Sequence, residues 1–364
     1  MLDRMVVRWW GGEGSWARAS ALWTVALLCP TGCSDDGIAS GDGASGIPLP
    51  VTSAGDTNDA DGDGTGVKLD VPSGDGTGMG DDGGGGAGCE KVDFLFVIDS
   101  SRSMEDEQDN LLTSFPGFIT AIEDTLQIDD FHLMVIDAGE VVAAGCDGTL
   151  GAGQVSSAVG ADCMLPAGQR YATADQADIT TAFTCMGSRG TLGSGDEQTM
   201  DALLASVGPL VGPGQCNEGF LREDAILVVT IITDEEDSPL DSSVAPPLDG
   251  SCEPADSDPN SLGDPASWVA SLTTAKGGDS DAVVVLSLLG DCDVGGSCPG
   301  IAVANPLDPM SPVSGAEPAP RLRAFTEMFG YGSVGPVCAD DYSPFFEEAV
   351  GVIATACDEF VPQG

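Results

Sequence analysis

Three oxygen-bearing side chains follow an apolar stretch near residue 95. The stretch Val92–Ile98 leads into Asp99, Ser101 and Ser103, which stand at alternate positions. A short apolar run bounded by polar turn residues predicts a buried strand of a parallel sheet. The carboxyl ends of such strands form the edge at which open α/β folds bind ligands. Carboxylate and hydroxyl oxygens are the ligands that Mg²⁺ takes in proteins, so this loop is a candidate metal site.

A second apolar run ends in the same kind of residue. Ala225–Thr233 leads into Asp234, and more acids follow directly: Glu235, Glu236 and Asp237. Because both runs predict parallel strands, we expect Asp99 and Asp234 to reach one sheet edge and face a single divalent ion. The additional acidic charge favours a cation nearby. A simpler interpretation of the first motif is that its Ser and Asp only cap the following helix.

The Asp-x-Ser-x-Ser pattern at residues 99–103 resembles the metal-ion-dependent adhesion site of the von Willebrand factor type A (VWA) family. Thr233-Asp234-Glu235 is similar to the family's Thr-Asp-Gly, with Glu in place of Gly. The resemblance covers roughly residues 90–358 and implies a further hydroxyl, usually a Thr just ahead of a helix, from a loop between the two strands. We assign this role to Thr191, with Ser194 and Glu197 as the alternatives.

The resemblance therefore implies a site for Mg²⁺ (or Mn²⁺ or Ca²⁺) that is formed by Asp99, Ser101, Ser103, Thr191 and Asp234. It also implies a binding function, in which the metal keeps an open position for a carboxylate of a protein ligand. One alternative is a structural or surface-display protein with a degenerate metal site. A metal-dependent hydrolase is the less favoured alternative. We expect no enzyme, because the single histidine, His132, leaves no basis for a Ser-His-Asp triad.

The charge balance excludes one class of partner. The chain has 364 residues and a net charge of −47, with 12 Lys and Arg against 59 Asp and Glu. Such an acidic chain repels the phosphate backbone, so we expect no nucleic-acid binding. The 51 glycines and 23 prolines indicate extensive loops and linkers.

The first 33 residues have the features of an export signal. Arg4, Arg8 and Arg18 precede an apolar stretch at 19–28 that is too short to span a bilayer. The sequence around Cys33 resembles a bacterial lipobox, which predicts lipidation of Cys33, with plain secretion as the alternative. We therefore expect an exported protein. It is either a lipoprotein of the bacterial outer membrane or cell surface, or a secreted protein.

The segment 34–88 predicts a disordered acidic linker rather than a folded unit. Asp, Gly, Ser and Thr dominate it, and aromatic residues are absent. Such a segment cannot bury enough apolar surface to offset the entropy lost on ordering.

Cysteine usage agrees with export. Of the twelve cysteines, Cys29 and Cys33 belong to the leader. The other cysteines predict disulfide bonds: Cys89, Cys146, Cys163, Cys185, Cys216, Cys252, Cys292, Cys298, Cys338 and Cys357. We expect Cys89 to pair with Cys357 across the ends of the domain, and Cys292 to close a small loop with Cys298.

The remaining chain alternates between apolar runs and amphipathic segments. Strands are predicted over 92–98, 131–136, 225–234 and 282–289, and helices over 105–126, 196–208, 264–275, 321–329 and 345–357. This alternation predicts an α/β fold with a Rossmann-like, doubly wound, mostly parallel sheet over 89–358, as the VWA resemblance also implies, before a short tail at 359–364. We expect Pro116 to kink or split the first helix. Residues 139–190 are expected to form an irregular, disulfide-held insertion near the metal face.

Overall fold

The computed structural model describes most of the chain after residue 88. The described residues are 89–126, 128–139, 143–193, 197–237, 264–290, 298, 302–303 and 313–362. The predicted signal peptide with Cys33, the predicted linker, Ser194, Cys252 and Cys292 lie outside them.

A six-stranded sheet forms the centre of the described fold. Its strands are β1 (Lys91–Ile98), β2 (Asp130–Asp137), β3 (Ala172–Thr173), β4 (Ile226–Ile232), β5 (Val283–Leu289) and β8 (Tyr331–Pro336), in the spatial order β3-β2-β1-β4-β5-β8. Every neighbouring pair is parallel except β2 and β3. Strands β6 (Ala302–Val303) and β7 (Val313–Ser314) form a separate antiparallel pair.

Helices cover both faces of the sheet. They are α1 (Glu105–Leu126), α2 (Ile179–Gly187), α3 (Thr199–Val207), α4 (Pro265–Ala275), α5 (Pro320–Glu327) and α6 (Ser343–Glu359). Successive side chains of a strand point to opposite faces. Phe94 and Phe96 therefore pack in the core under α1, α2 and α6, whereas Leu95 and Val97 pack in the core under α3, α4 and α5. The predicted doubly wound α/β fold is confirmed.

The sixth strand escaped prediction because it lacks an apolar run. Tyr331–Pro336 reads Tyr-Gly-Ser-Val-Gly-Pro, and most of its residues are only partly buried. A strand at the edge of a sheet has only one neighbouring strand and tolerates Gly and Pro. The sequence of β8 therefore lacks the apolar pattern by which the other strands were predicted.

The first helix is not split at Pro116. It runs unbroken from Glu105 to Leu126 with Pro116 inside it. Phe115 and Phe118 from the turns on either side are fully buried, with ring centroids 5.8 and 6.3 Å from that of Phe96. The loss of one backbone hydrogen bond at proline is thus offset by apolar packing on both sides of it.

The insertion after β2 is more regular than predicted. It contains β3, which pairs with β2, and α2. The carboxylate of Asp178 caps α2, because its Oδ1 accepts the Thr181 N–H at 2.9 Å. The disulfide Cys163–Cys185 ties this helix to the preceding loop. A nine-residue helix rich in Thr gave too weak a periodic signal to be separated from the loop around it.

Disulfide bonds join distant parts of the described chain. The pairs are Cys89–Cys357, Cys146–Cys216, Cys163–Cys185 and Cys298–Cys338. The predicted link between the ends of the domain is confirmed. The predicted Cys292–Cys298 loop is wrong, because Cys298 bonds to Cys338 beside β8.

Such disulfides are typical of proteins exported to an oxidising compartment. Among the described residues, the helices lack the combined length and apolar character needed to cross a membrane.

The Cys89–Cys357 bond is expected to contribute more stability than the Cys163–Cys185 bond. The two bonds close loops with sequence separations of 268 and 22 residues. Loop-closure entropy grows with the logarithm of loop length, which predicts a difference of about 2 kcal/mol. Urea unfolding of the Cys89→Ser/Cys357→Ser and Cys163→Ser/Cys185→Ser double variants measures it. Equal losses of unfolding free energy would contradict the expectation.

Candidate metal centre

The candidate site lies where the order of the strands reverses. After the central strand β1 the chain forms β2 on one side and later β4 on the other, so the carboxyl ends of β1 and β4 border a topological switch point. Ile98 stands opposite Ile232 in the ladder, and the Asp99 N–H donates to the Ile232 carbonyl at 3.0 Å. This register brings Asp99 and Asp234 to the same edge of the sheet.

Asp99 is buried and held by its own loop and by the neighbouring strand end. Its Oδ1 accepts the Ser101 N–H at 2.6 Å, and its Oδ2 accepts the Thr233 hydroxyl at 2.8 Å. Burial, followed by the charge of Asp234, raises the pKa of Asp99 to about 7. The two acids are therefore close enough to repel each other when both are ionised.

Ser101 and Ser103 bring their hydroxyls to the same loop. Both residues are buried, and their Oγ atoms lie 3.2 Å apart. The sequence predicted this convergence from their alternate spacing. Ser100, between them and Asp99, faces elsewhere: its hydroxyl donates to Asp137 at 2.7 Å.

The carboxylate of Asp234 has fewer hydrogen bonds than that of Asp99. The residue is fully buried, and among the described residues neither of its carboxylate oxygens has a hydrogen-bond donor in bonding geometry. Burial raises the pKa of Asp234 to about 7, although the nearby Ser103 hydroxyl lowers it in part. A buried carboxylate without a donor is costly unless a proton or a cation balances its charge.

The third loop places a buried acid within electrostatic reach of Asp99. Glu197 is fully buried, and both of its carboxylate oxygens lack a donor in bonding geometry among the described residues. Burial, followed by the charge of Asp99 and then by the neighbouring Glu235, raises the pKa of Glu197 well above the usual range. Thr191, our first choice, is only partly buried. Glu197, our third choice, therefore lies close enough to Asp99 for their charges to interact, and the assignment of Thr191 as a ligand stays a prediction.

Sequence analysis also missed Thr199 in this loop. It is the first residue of α3, it is fully buried, and its hydroxyl oxygen has no hydrogen-bond partner among the described residues. The resemblance implies a Thr just ahead of a helix, whereas Thr199 lies inside the helix predicted over 196–208, so this signal did not select it.

Glu236 and Asp237, two of the three acids after Asp234, have structural roles. The Glu236 carboxylate accepts the backbone N–H of Arg321 at 2.7 Å, near the start of α5. The Asp237 carboxylate accepts the backbone N–H of Met200 at 2.9 Å, in the first turn of α3. Both side chains therefore satisfy free N–H groups at helix N-termini, which favour negative charge. The charges of these two acids thus stabilise helix N-termini. They are therefore no argument for a cation nearby, contrary to our expectation from the sequence.

The donor set fits a hard divalent cation. Asp99, Ser101, Ser103 and Asp234 offer only oxygens, the ligands that Mg²⁺ and Ca²⁺ prefer. In the described part of the chain, no three His, Cys, Asp or Glu side chains form a group that could hold an ion on their own. An ion at this edge would therefore depend on the serine hydroxyls as well as the carboxylates.

Comparison with known proteins adds little to this picture. No protein-family model and no curated protein matches the chain. One matching solved structure is proximal thread matrix protein 1 from the mussel byssus, which is 12% identical with a TM-score of 0.36. The match covers 72% of this chain and 48% of that protein, so the chain spans about half of its length. At this similarity the match carries no argument about function.

The pair Asp99 and Asp234 makes the metal-free protein less stable at higher pH. Folding raises both pKa values from 3.8 to about 7, so the folded state binds protons that the unfolded state releases between these values. Stability is therefore present at low pH and is lost as pH rises from about 4 through about 7. Urea unfolding in EDTA at pH 5 and pH 8 measures the loss, which the Asp234→Asn variant should reduce.

The matched control is Asp264→Asn, which removes an acid at the N-cap of α4, where Asn caps equally well. It should show the same pH dependence as the wild type. An equal loss of stability in the wild type and Asp234→Asn would contradict the assignment.

Proposed function

We propose that this chain is an exported binding protein that uses a divalent cation at the carboxyl ends of β1 and β4 to bind a protein ligand. Asp99, Ser101, Ser103 and Asp234 would hold the cation, with Thr191 as the further predicted ligand, and the cation is Mg²⁺ or, alternatively, Mn²⁺ or Ca²⁺. This is the function of the VWA-type adhesion site that the sequence resembles. The observation that carries the proposal is the buried carboxylate of Asp234, for which the described residues supply no hydrogen-bond donor in bonding geometry and which lies within electrostatic reach of Asp99.

The treatment of other buried acids supports the proposal. Asp93, Asp137 and Glu236 each form an ion pair with an arginine: Arg222 at 2.7 Å, Arg189 at 3.2 Å and Arg321 at 3.8 Å. In the described part of the chain, Asp99 and Asp234 have no such basic partner. A chain with only 12 basic residues thus places arginines beside three of its buried acids, whereas a cation could balance the charge of this pair.

The partner follows from the chemistry of the donors. Divalent cations of this kind take six or more oxygen ligands, and the named side chains supply fewer than that. A carboxylate from a protein ligand is an oxygen donor that can complete the shell. Because the chain itself carries a charge of −47, an acidic ligand would be repelled everywhere except at a bound cation. Binding should therefore depend on the cation.

The location follows from the disulfides and the leader. Disulfide bonds indicate an oxidising compartment, where divalent cations are available. We further propose that Cys33 is lipidated and that residues 34–88 connect the anchor to the domain. Secretion without a lipid anchor is the alternative.

The second candidate is a structural or surface-display protein whose site no longer binds metal. The observation that favours it is the third loop, where Thr191 is only partly buried and a third acid, Glu197, adjoins Asp99. Hydrolysis is the weaker alternative, because His132 lies in β2 with its Nδ1 donating to the Phe220 carbonyl at 2.8 Å. Assays of ester and phosphate hydrolysis with and without EDTA test it.

Added Mg²⁺ is expected to raise the melting temperature of the full chain. A cation that binds only the folded state stabilises it by about 2.7 kcal/mol at a concentration one hundred times Kd. Differential scanning calorimetry in Mg²⁺ and in EDTA measures the shift, and Asp99→Ala should abolish it. Asp264→Asn should retain the full shift. A wild-type protein that responds to neither Mg²⁺, Mn²⁺ nor Ca²⁺ favours the structural alternative.

A protein ligand should then be retained in Mg²⁺ and released by EDTA. The immobilised full chain and its Asp99→Ala variant provide the comparison, with Asp264→Asn as the control. Equal retention of a partner by the wild type and by Asp99→Ala would show that its binding does not depend on the cation.

A further inference from the structure

We propose that Gln108 is a positioning residue that holds the loop at residues 189–193 against Asp99 and thereby sets the affinity of the cation site. The inference rests on the proposed function, because it concerns how that site is assembled. Gln108 lies in the second turn of α1 and is buried. It contacts neither of the paired acids through their carboxylates and would not bind the cation itself.

Every hydrogen-bonding capacity of the Gln108 amide is used. Its Nε2 donates to the Asp99 carbonyl at 3.0 Å and to the Gly190 carbonyl at 2.9 Å. Its Oε1 accepts the backbone N–H groups of Arg189 at 3.1 Å and Gly190 at 3.0 Å. One side chain thus joins the backbone of the first metal-site residue to the backbone of a loop about eighty positions later. Only an amide can donate to two carbonyls and accept from two N–H groups at once.

A second contact joins the same two segments, the loop at residues 189–193 and the loop that carries Asp99. The Gly193 N–H donates to the Ser100 carbonyl at 2.9 Å. A Cβ atom at Gly193 would lie 2.1 Å from the Ser100 Oγ and 2.6 Å from its carbonyl oxygen, so the close approach requires glycine. The loop therefore rests directly on the backbone that carries Asp99, Ser101 and Ser103.

An ion pair fixes the loop from its other side. The Arg189 guanidinium pairs with Asp137 at 3.2 Å, and Asp137 also accepts the Ser100 hydroxyl at 2.7 Å. All these groups are buried. Arg189 follows shortly after the end of α2, which the Cys163–Cys185 disulfide ties to the preceding loop. These contacts therefore connect the insertion to the candidate site.

The consequence is that metal-ligand geometry depends on groups that do not touch the metal. Hydrogen bonds that orient metal ligands from outside the coordination shell typically account for a 10–100-fold effect on metal affinity. Removing the amide of Gln108 should free the loop and loosen the Asp99 backbone. Cation affinity should fall while the fold is retained.

The test uses isothermal titration of Mg²⁺ and Mn²⁺ into the full chain. Gln108→Met has a similar size but cannot make these hydrogen bonds, and we expect its cation Kd to be about 10-fold weaker or more. The matched control is Asn110→Ala on the same helix, which removes an amide that donates to the Ala339 carbonyl at 3.1 Å, away from the site. We expect it to lower the melting temperature in EDTA without changing the cation Kd.

Gly193→Ala tests the same idea without removing any hydrogen-bonding group. The added Cβ should push the loop away from Ser100, so Gly193→Ala should weaken cation binding as Gln108→Met does. It provides the test if Gln108→Met does not fold. A wild-type cation Kd in both variants would overturn the inference and leave the proposed function intact. A wild-type chain that binds no cation would overturn the proposed function and this inference with it.

Discussion

The cost of burying two like charges at one sheet edge constrains the rest of the candidate site. Asp99 and Asp234 follow adjacent parallel strands, are both removed from water, and raise each other's cost of ionisation. Such a pair persists only if a proton, a hydrogen-bond donor or a cation balances it. Asp99 has donors on both oxygens, whereas the described residues supply Asp234 with none in bonding geometry, so the balance of charge at Asp234 decides the state of the site.

Three arginines of the described structure pair with other buried acids. At the opposite end of the sheet, the Arg222 Nε donates to buried Asp93 at 2.7 Å, and burial still raises the pKa of Asp93 to about 6. Near the candidate site, Arg189 and Arg321 pair with Asp137 and Glu236. These pairs are satisfied internally and need no ligand. The contrast separates acids that hold the fold together from acids that remain available for a cation.

The fold and half of the site could be predicted because their signals are local. Strands buried on both faces give continuous apolar runs, and the acids that follow β1 and β4 are read directly from the chain. The edge strand β8 and helix α2 have no such pattern, because the first is half exposed and the second is short. The third loop has no such local signal: whether Thr191 or Glu197 reaches Asp99 depends on how a long insertion packs, and no local pattern encodes that.

The sequence by itself therefore determined the doubly wound sheet, the placement of Asp99 and Asp234 at one edge, and the dense use of cysteine. Local chemistry sufficed for these, since apolar runs and the residues that end them are contiguous. Only the tertiary structure decided that Glu236 and Asp237 cap helices, that Cys298 bonds to Cys338, and that Gln108 joins two loops. Each of these contacts links residues far apart in the chain, and packing rather than sequence pattern selects such partners.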